Sequence, residues 1–215
     1  MAIDAYMYFK DYSNKYMASE SQVNLIKSGD PDAIFNLFSG PASGSNVTTV
    51  AGVTNNGLFE VEDYSFDIEQ TLNIGSGGSG SGAGKITFNP FSITRKIDCS
   101  SPVFFQMACA GTPFREVSLG LRKSSGGSTA AIAGGSGAFF VSFTFKLVAV
   151  KTISWAHDDE SPKETVTFEY GAMVIQYAQQ KTDGTFTAII PGGWNKVNNI
   201  GDNNPTLALG GSGST

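Results

Sequence analysis

One histidine, His157, and two cysteines, Cys99 and Cys109, bound the chemistry this chain can do. His157 opens the run His157-Asp158-Asp159-Glu160, whose carboxylates could hold a hard cation or act as paired acids on a glycoside. Nothing in the strand pattern sets a second carboxylate opposite them, and a solvated charged turn is the simpler reading. A Ser–His–Asp triad would have to draw on the same turn, and no G-x-S-x-G elbow accompanies it. Zinc would need two ligands beyond the two cysteines, and only one histidine exists. Buried free thiols are the default reading of Cys99 and Cys109, with a disulfide as the alternative. Gly75, Gly77 and Gly80 match G-x-G-x-x-G by spacing, but any Gly/Ser loop does, and a strand follows at Ile86 where a helix should open. Gly84-Lys85 precedes Ile86 and not Ser or Thr, so it is no phosphate-binding loop. Trp155 and Trp194 could be sugar-stacking platforms, although aromatic core residues are commoner.

Composition narrows the frame further. The chain has 215 residues, 15% of them charged, with 26 Gly, 16 Phe and 7 Tyr. That length suits one all-β domain, and the aromatic content rules out disorder of the whole. No apolar run approaches the ~18–20 residues of a membrane helix, so no membrane insertion is expected. Net charge is −5, which argues against nucleic acid as a partner. Charge is blocked: residues 1–70 carry −7, residues 71–151 carry +6 and residues 152–215 carry −4. Such blocks are either neighbours within one sheet or two surfaces that dock subunit against subunit. Met1–Lys10 lacks a cationic head followed by an apolar stretch, so no signal peptide is expected there.

The elements that would position these residues are mainly strands. Residues 3–10 alternate, with Ile3, Ala5, Met7 and Phe9 on one face. Residues 117–122 and 139–149 do the same. Three further strands slip by one residue: 59–69 at Glu62–Asp63, 86–97 at Asn89–Pro90, and 166–177 at Gly171–Ala172. A β-bulge absorbs such a slip and bends the strand, which predicts a small closed β-barrel of bulged antiparallel strands. One flanking helix is predicted over Ser101–Ala110, with Ser101 as N-cap, Pro102 in the first turn and Gly111 at the C-terminal cap. A short helix is predicted at Asp30–Gly40, its apolar side made by Ile34, Phe35, Leu37 and Phe38. Gly/Ser-rich stretches at 75–84, 124–137 and 209–215 read as loops and a tail.

Residues 83–123, AGKITFNPFSITRKIDCSSPVFFQMACAGTPFREVSLGLRK, resemble the Hcp family, the tube protein of bacterial type VI secretion systems. The likeness rests on Gly84-Lys85, Ser92-Ile93-Thr94-Arg95, Ile97-Asp98, Ser101-Pro102, Ala108-Cys109, Gly111 and Leu121-Arg122-Lys123. Thr165-Val166-Thr167-Phe168, Tyr177, Gln180-Lys181, Asp183-Gly184 and Gly193-Trp194-Asn195 follow in family order, and the opening MAIDAYMYFK is similar to the family's first strand. The chain departs from the family in a longer 11–57 segment, an extension over 200–215, and a more acidic strand Phe59–Gln70.

The resemblance implies a non-enzymatic subunit with no cofactor. It implies a single domain over residues 1–200, with 11–57 inserted between the first two strands and 201–215 a flexible tail. It also implies six-membered rings that stack into a tube, spike and sheath proteins as partners, and effector cargo in the lumen. The protein would reside in the bacterial cytoplasm before firing and then be secreted. Tyr64-Ser65-Phe66 matches the family position whose Ser faces the lumen, and Asp63, Asp67 and Glu69 share its alternation face. Ile34, Phe35, Leu37 and Phe38 are assigned to a subunit or ring contact. The rival readings are a tail-tube protein of a phage-like contractile particle and a carbohydrate-binding β-sandwich using Trp155 or Trp194. With one histidine and no ligand cluster, elemental analysis of the purified protein should find no stoichiometric transition metal, and His157→Ala should leave assembly unchanged. One zinc per chain would contradict this.

Overall fold

The computed structural model describes residues 3–21, 57–71, 86–123, 139–157, 161–179, 181 and 187–208. Alternation at the start of the chain gives β1, Ile3–Lys10. The slipping segment that follows splits into β2 (Phe59–Glu60), β3 (Asp63–Ser65) and β4 (Ile68–Gln70). Asn89–Pro90 parts β5 (Ile86–Phe88) from β6 (Phe91–Lys96), since proline cannot donate to a ladder. Next come α1 (Ser101–Ala110), β7 (Phe114–Lys123) and the long pair β8 (Phe139–His157) and β9 (Pro162–Tyr177). The last strands are β10 (Ile190–Asn195) and β11 (Ile200–Gly201).

All pairings are antiparallel, in the order β11-β10-β9-β8-β7-β1-β2. β6 lies on the first half of β9, with Phe91 opposite Phe168 and Lys96 opposite Lys163, and β3 lies on β6. β4 and β5 form a separate two-stranded sheet. The closed barrel expected from the sequence is therefore corrected. β2 pairs with β1 while β3 pairs with β6, and no ladder joins β2 to β3. The chain itself makes the crossing: Val61 N still donates to Ala5 O (3.1 Å), and Glu62 N already donates to Thr94 O (3.0 Å). The slip at Glu62–Asp63 thus switches the strand's partner where a bulge within one ladder was expected.

Between the sheet faces lies an aromatic core. Phe91 stacks between Phe145 (4.1 Å between ring centroids) and Phe168 (4.8 Å). Phe9 touches Phe59, Phe104, Phe114 and Phe168. The opposite face of β1 is covered as well: Tyr6 and Tyr8 are buried with Leu58 and Phe139 in a second cluster. The alternation of residues 3–10 alone predicts burial of one face only. Residues 11–21 explain part of the difference, because Met17 N donates to Phe9 O (2.9 Å) and Met17 enters the main core. The remainder of the 11–57 segment up to Asn56, with the Asp30–Gly40 helix and Ile34, Phe35, Leu37 and Phe38, lies outside the described residues, as do the Gly75–Gly80 loop and Asp158–Glu160. At the other end, residues 201–208 are described: Gly201 belongs to β11, Pro205 is buried, and Leu207 closes on Gly171.

The slip at Gly171–Ala172 has a counterpart on β8. Lys146 pairs with Ala172 and Val148 with Tyr170, which leaves Leu147 opposite Gly171 with φ 51°. Both strands turn over at that rung, so Phe145 and Val148 share the core although three residues separate them. A Cβ on residue 171 would lie 2.8 Å from Leu207 Cδ1, the movable end of a side chain, and 3.3 Å from Leu147 Cβ, so a larger residue at this rung would need Leu207 to shift.

α1 is anchored by a buried cation. Arg95 (3% exposed) lies on the inner face of β6 directly opposite Glu164 (1% exposed) of β9. Its Nε donates to Glu164 Oε1 (2.8 Å), and its Nη2 donates to Asp98 Oδ1 (2.8 Å), Ser100 Oγ (2.7 Å) and Ser101 Oγ (3.1 Å). The guanidinium carbon sits 5.0 Å from the centroids of Phe59 and Phe104. Burial by itself would raise the Asp98 carboxyl, but the Arg95 and Ser100 hydrogen bonds outweigh it and hold the group below its ordinary value. The helix N-cap is Ser100, not Ser101 as expected, and its side chain caps no backbone N–H. Both hydroxyls are drawn into the ion network instead: Ser100 Oγ donates to Asp98 Oδ1 and Ser101 Oγ donates to Glu164 Oε1. Gly111 ends the helix with φ 65°, as the sequence predicts. Truncating one partner of a buried ion pair strands the other, so Glu164→Leu should lower the unfolding free energy by ~3–5 kcal/mol in urea titration. The double variant Arg95→Met/Glu164→Leu should recover most of that loss; if it falls as low as the single variant, the pair is not the coupling element.

Candidate functional site: a hydroxyl-lined outer face

Register places a second set of residues with equal order on the outer face of β3, β6, β9 and β8. One row runs Ser65, Ser92, Thr167, Thr152, and the next runs Asp63, Thr94, Thr165, Ser154. Seven of these eight side chains are hydroxyls and one is a carboxylate. Each is partly or fully exposed, while the alternating residues Tyr64, Phe91, Ile93, Val166, Phe168 and Ile153 pack on the core. Hydroxyls join across the strands: Ser65 Oγ to Ser92 Oγ at 2.9 Å, and Thr94 Oγ1 to Thr165 Oγ1 at 3.1 Å. Charges close the face at both ends. Below, Lys96 and Lys163 share a rung, and Lys163 Nζ meets Glu62 Oε2 at 3.0 Å. Above, Glu169 lies between Lys151 (2.8 Å) and Lys196 (3.6 Å).

The sequence-predicted set is split by the fold. Ser65 and Asp63 belong to the rows just described. Asp67 stands in the break before β4, where its Oδ2 accepts from Asn89 Nδ2 (2.8 Å). Glu69 pairs with Thr87 in the separate β4–β5 sheet, so the shared alternation face ends at Ser65. Ser92, Thr94, Thr165, Thr167, Thr152 and Ser154 were missed. Their signal was present, because Ser and Thr recur at every second position of 92–94, 152–154 and 165–167.

Other candidates resolve differently. A cleft of about 410 Å³ opens between Ser19–Ser21, Phe59, Glu62 and Arg95–Asp98. Its acids are engaged within the chain: Glu20 accepts from Cys99 N, Glu60 from Ser21 Oγ, Glu62 pairs with Lys163 and Asp98 with Arg95. No metal-holding group of three His, Cys, Asp or Glu occurs among the described residues. Both cysteines are free, but Cys109 is exposed and Cys99 half-buried, which corrects the buried reading. His157 ends β8 in the open. Trp194 packs against the core, and Trp155 donates from Nε1 to Glu164 Oε2 (3.2 Å).

Among the described residues the architecture is an antiparallel sheet wrapped on an aromatic core, with one helix on its flank and an ordered polar outer wall. The family described as "Type VI secretion system effector, Hcp" matches residues 48–177, more than half of the sequence. The chain belongs to the Hcp family and is a structural tube subunit of a type VI secretion system. Solved structures carry the same fold. One described as a type six secretion system protein is 20% identical, with TM-score 0.65, over 94% of this chain and 100% of the other. A mutant form of Hcp1 from E. coli EAEC 042 is 15% identical, with TM-score 0.58, over 91% and 99%. Hcp1 from Salmonella typhimurium is 17% identical, with TM-score 0.54, over 94% and 100%. No curated protein matches the chain. If the outer rows serve function and not folding, Ser92→Ala and Thr167→Val should each change the unfolding free energy by less than about 1 kcal/mol. A loss above ~2 kcal/mol in either would make the rows structural.

Proposed function

We propose that this chain assembles into a six-membered ring in which the outer face of β3, β6, β9 and β8 forms the channel wall, and that stacked rings carry effector cargo. The observation that carries this reading is the orientation of Ser65. Tyr64 and Phe66 pack against the core, while Ser65 points away from it and joins the hydroxyl rows through Ser92. A wall of hydroxyls offers donors and acceptors but little apolar surface, which suits a conduit that must hold a folded passenger and still release it. Asp63, within the rows, and the exposed Asp67 and Glu69, beyond the break after Ser65, would add negative charge between the lysines at the two ends of the face, so charged patches on a cargo meet both signs there. Spike and sheath proteins are the partners at the tube's tip and outer surface. The protein waits in the bacterial cytoplasm and leaves the cell when the system fires; no helix among the described residues is long and apolar enough to cross a membrane.

Ser65→Gln would push a longer side chain into the channel. Co-purification should then show cargo retention lost while ring size by light scattering is unchanged. Retention in the unsubstituted ring should weaken as salt rises, because exposed charges are screened over ~8 Å at physiological ionic strength. Normal retention by Ser65→Gln would remove this face from the channel.

A further inference from the structure

Two apolar patches lie at opposite ends of the β8–β9 pair. The first is on and beside α1. That helix carries no Asp, Glu, Lys or Arg, yet Phe105 is 51% exposed, and its ring lies 6.3 Å from that of Trp155, itself 53% exposed, with Ile97 nearby in sequence to the helix start. The second is where the inner sheet face runs out past the core. Its rungs read Phe145–Met173–Trp194, then Phe143–Ile175–Gly192, then Val141–Tyr177–Ile190, with no charge among them. Exposure climbs along that face, from 0% at Phe145 to 39% at Ile175, 42% at Tyr177 and 65% at Ile190. Six of the ten large apolar residues exposed among the described residues fall in these two groups. Trp155 pairs with Glu164, thirteen residues before Tyr177 on β9. At ~3.3 Å per residue the strand between them is at most roughly 40 Å long.

We propose that these patches bind each other between copies: the Phe105–Trp155 patch of one subunit seats on the Ile175–Tyr177–Ile190 face of the next. This rests on the ring assembly proposed above. A closed ring of identical subunits needs two different surfaces on each copy, joined head to tail. The two patches are distinct and lie at opposite ends of β9, and the Glu164 carboxylate that Trp155 touches is already paired with Arg95, so neither patch buries an unpaired ion against the other. Surfaces of this kind, apolar and depleted in charge at their centre, are typical of the buried core of subunit contacts.

The test uses the full chain with Phe105→Glu or Ile190→Glu, each buried against the partner only in the assembly. Sedimentation velocity should give the ring for the unsubstituted protein and a monomer for each variant alone. Mixed in equal amounts, the variants should form a dimer, because each keeps the patch that the other lacks, and a dimer has no competent end left. Circular dichroism and thermal midpoints confirm folding, and Phe105→Gln with Ile190→Gln supplies a milder pair. Ring formation by either Glu variant alone, or a mixture that stays monomeric, overturns the proposed contact while ring assembly stands. An unsubstituted chain that is monomeric overturns both.

Discussion

The buried Arg95 guanidinium is the constraint on which the rest of this structure depends. It joins three elements, one of them distant in sequence: β6, which carries it; β9, whose Glu164 neutralises it; and the turn into α1, whose Asp98, Ser100 and Ser101 complete its hydrogen bonds. Phe59 of β2 and Phe104 of α1 add two aromatic faces 5.0 Å away. Attraction between the charges only offsets the cost of taking them out of water, so the network adds little net stability compared with apolar residues of the same size. What it supplies is position. A shift of β6 against β9 by one residue would leave a charge buried without a partner, so the register Arg95–Glu164 is fixed, and with it every rung up to Phe91–Phe168. The same register aligns the hydroxyl rows on the outer face. Trp155 is held by the second oxygen of the same glutamate, which ties the exposed aromatic patch to the same point.

Curvature comes from the second set of constraints. Chain crossing at Val61–Glu62, the Asn89–Pro90 break and the double slip at Leu147–Gly171 each rotate side chains from one face to the other. The sheet can therefore bend around Phe9 and Phe91 without leaving core residues outside. At the far end of β8 and β9 the same inner face continues after the core has ended, and there the chain exposes residues that suit a neighbour better than water.

Much of this was legible in the sequence because its period was intact. β1 and α1 appear at their expected bounds, and all three slips coincide with a break or a turnover. The Arg95 network was not legible: its partners are 3, 5, 6 and 69 residues away, and only the β6–β9 register brings Glu164 to it. For the same reason neither Ser100 nor Ser101 caps the helix with its side chain, since both hydroxyls serve the ion network. The barrel was over-read, because a slip at Glu62–Asp63 looks the same in sequence whether the strand bulges within one ladder or leaves it for another. Ser65 is singled out by the family resemblance of Tyr64-Ser65-Phe66, whereas the alternation of Thr165 and Thr167 marks a strand face and no role. Asp67 and Glu69 were grouped with Ser65 by alternation that the break after Ser65 interrupts.

The outcome is a subunit with an apolar interior pinned by one ion cluster and a polar outer wall set by the same register. Its central claim is that this wall faces a channel. Electron cryomicroscopy of the assembled protein tests that most directly. The account predicts closed rings whose central channel is lined by Ser65, Ser92, Thr94, Thr165 and Thr167 from every subunit. Rings in which those residues lie on the outer circumference, or between subunits, would contradict it.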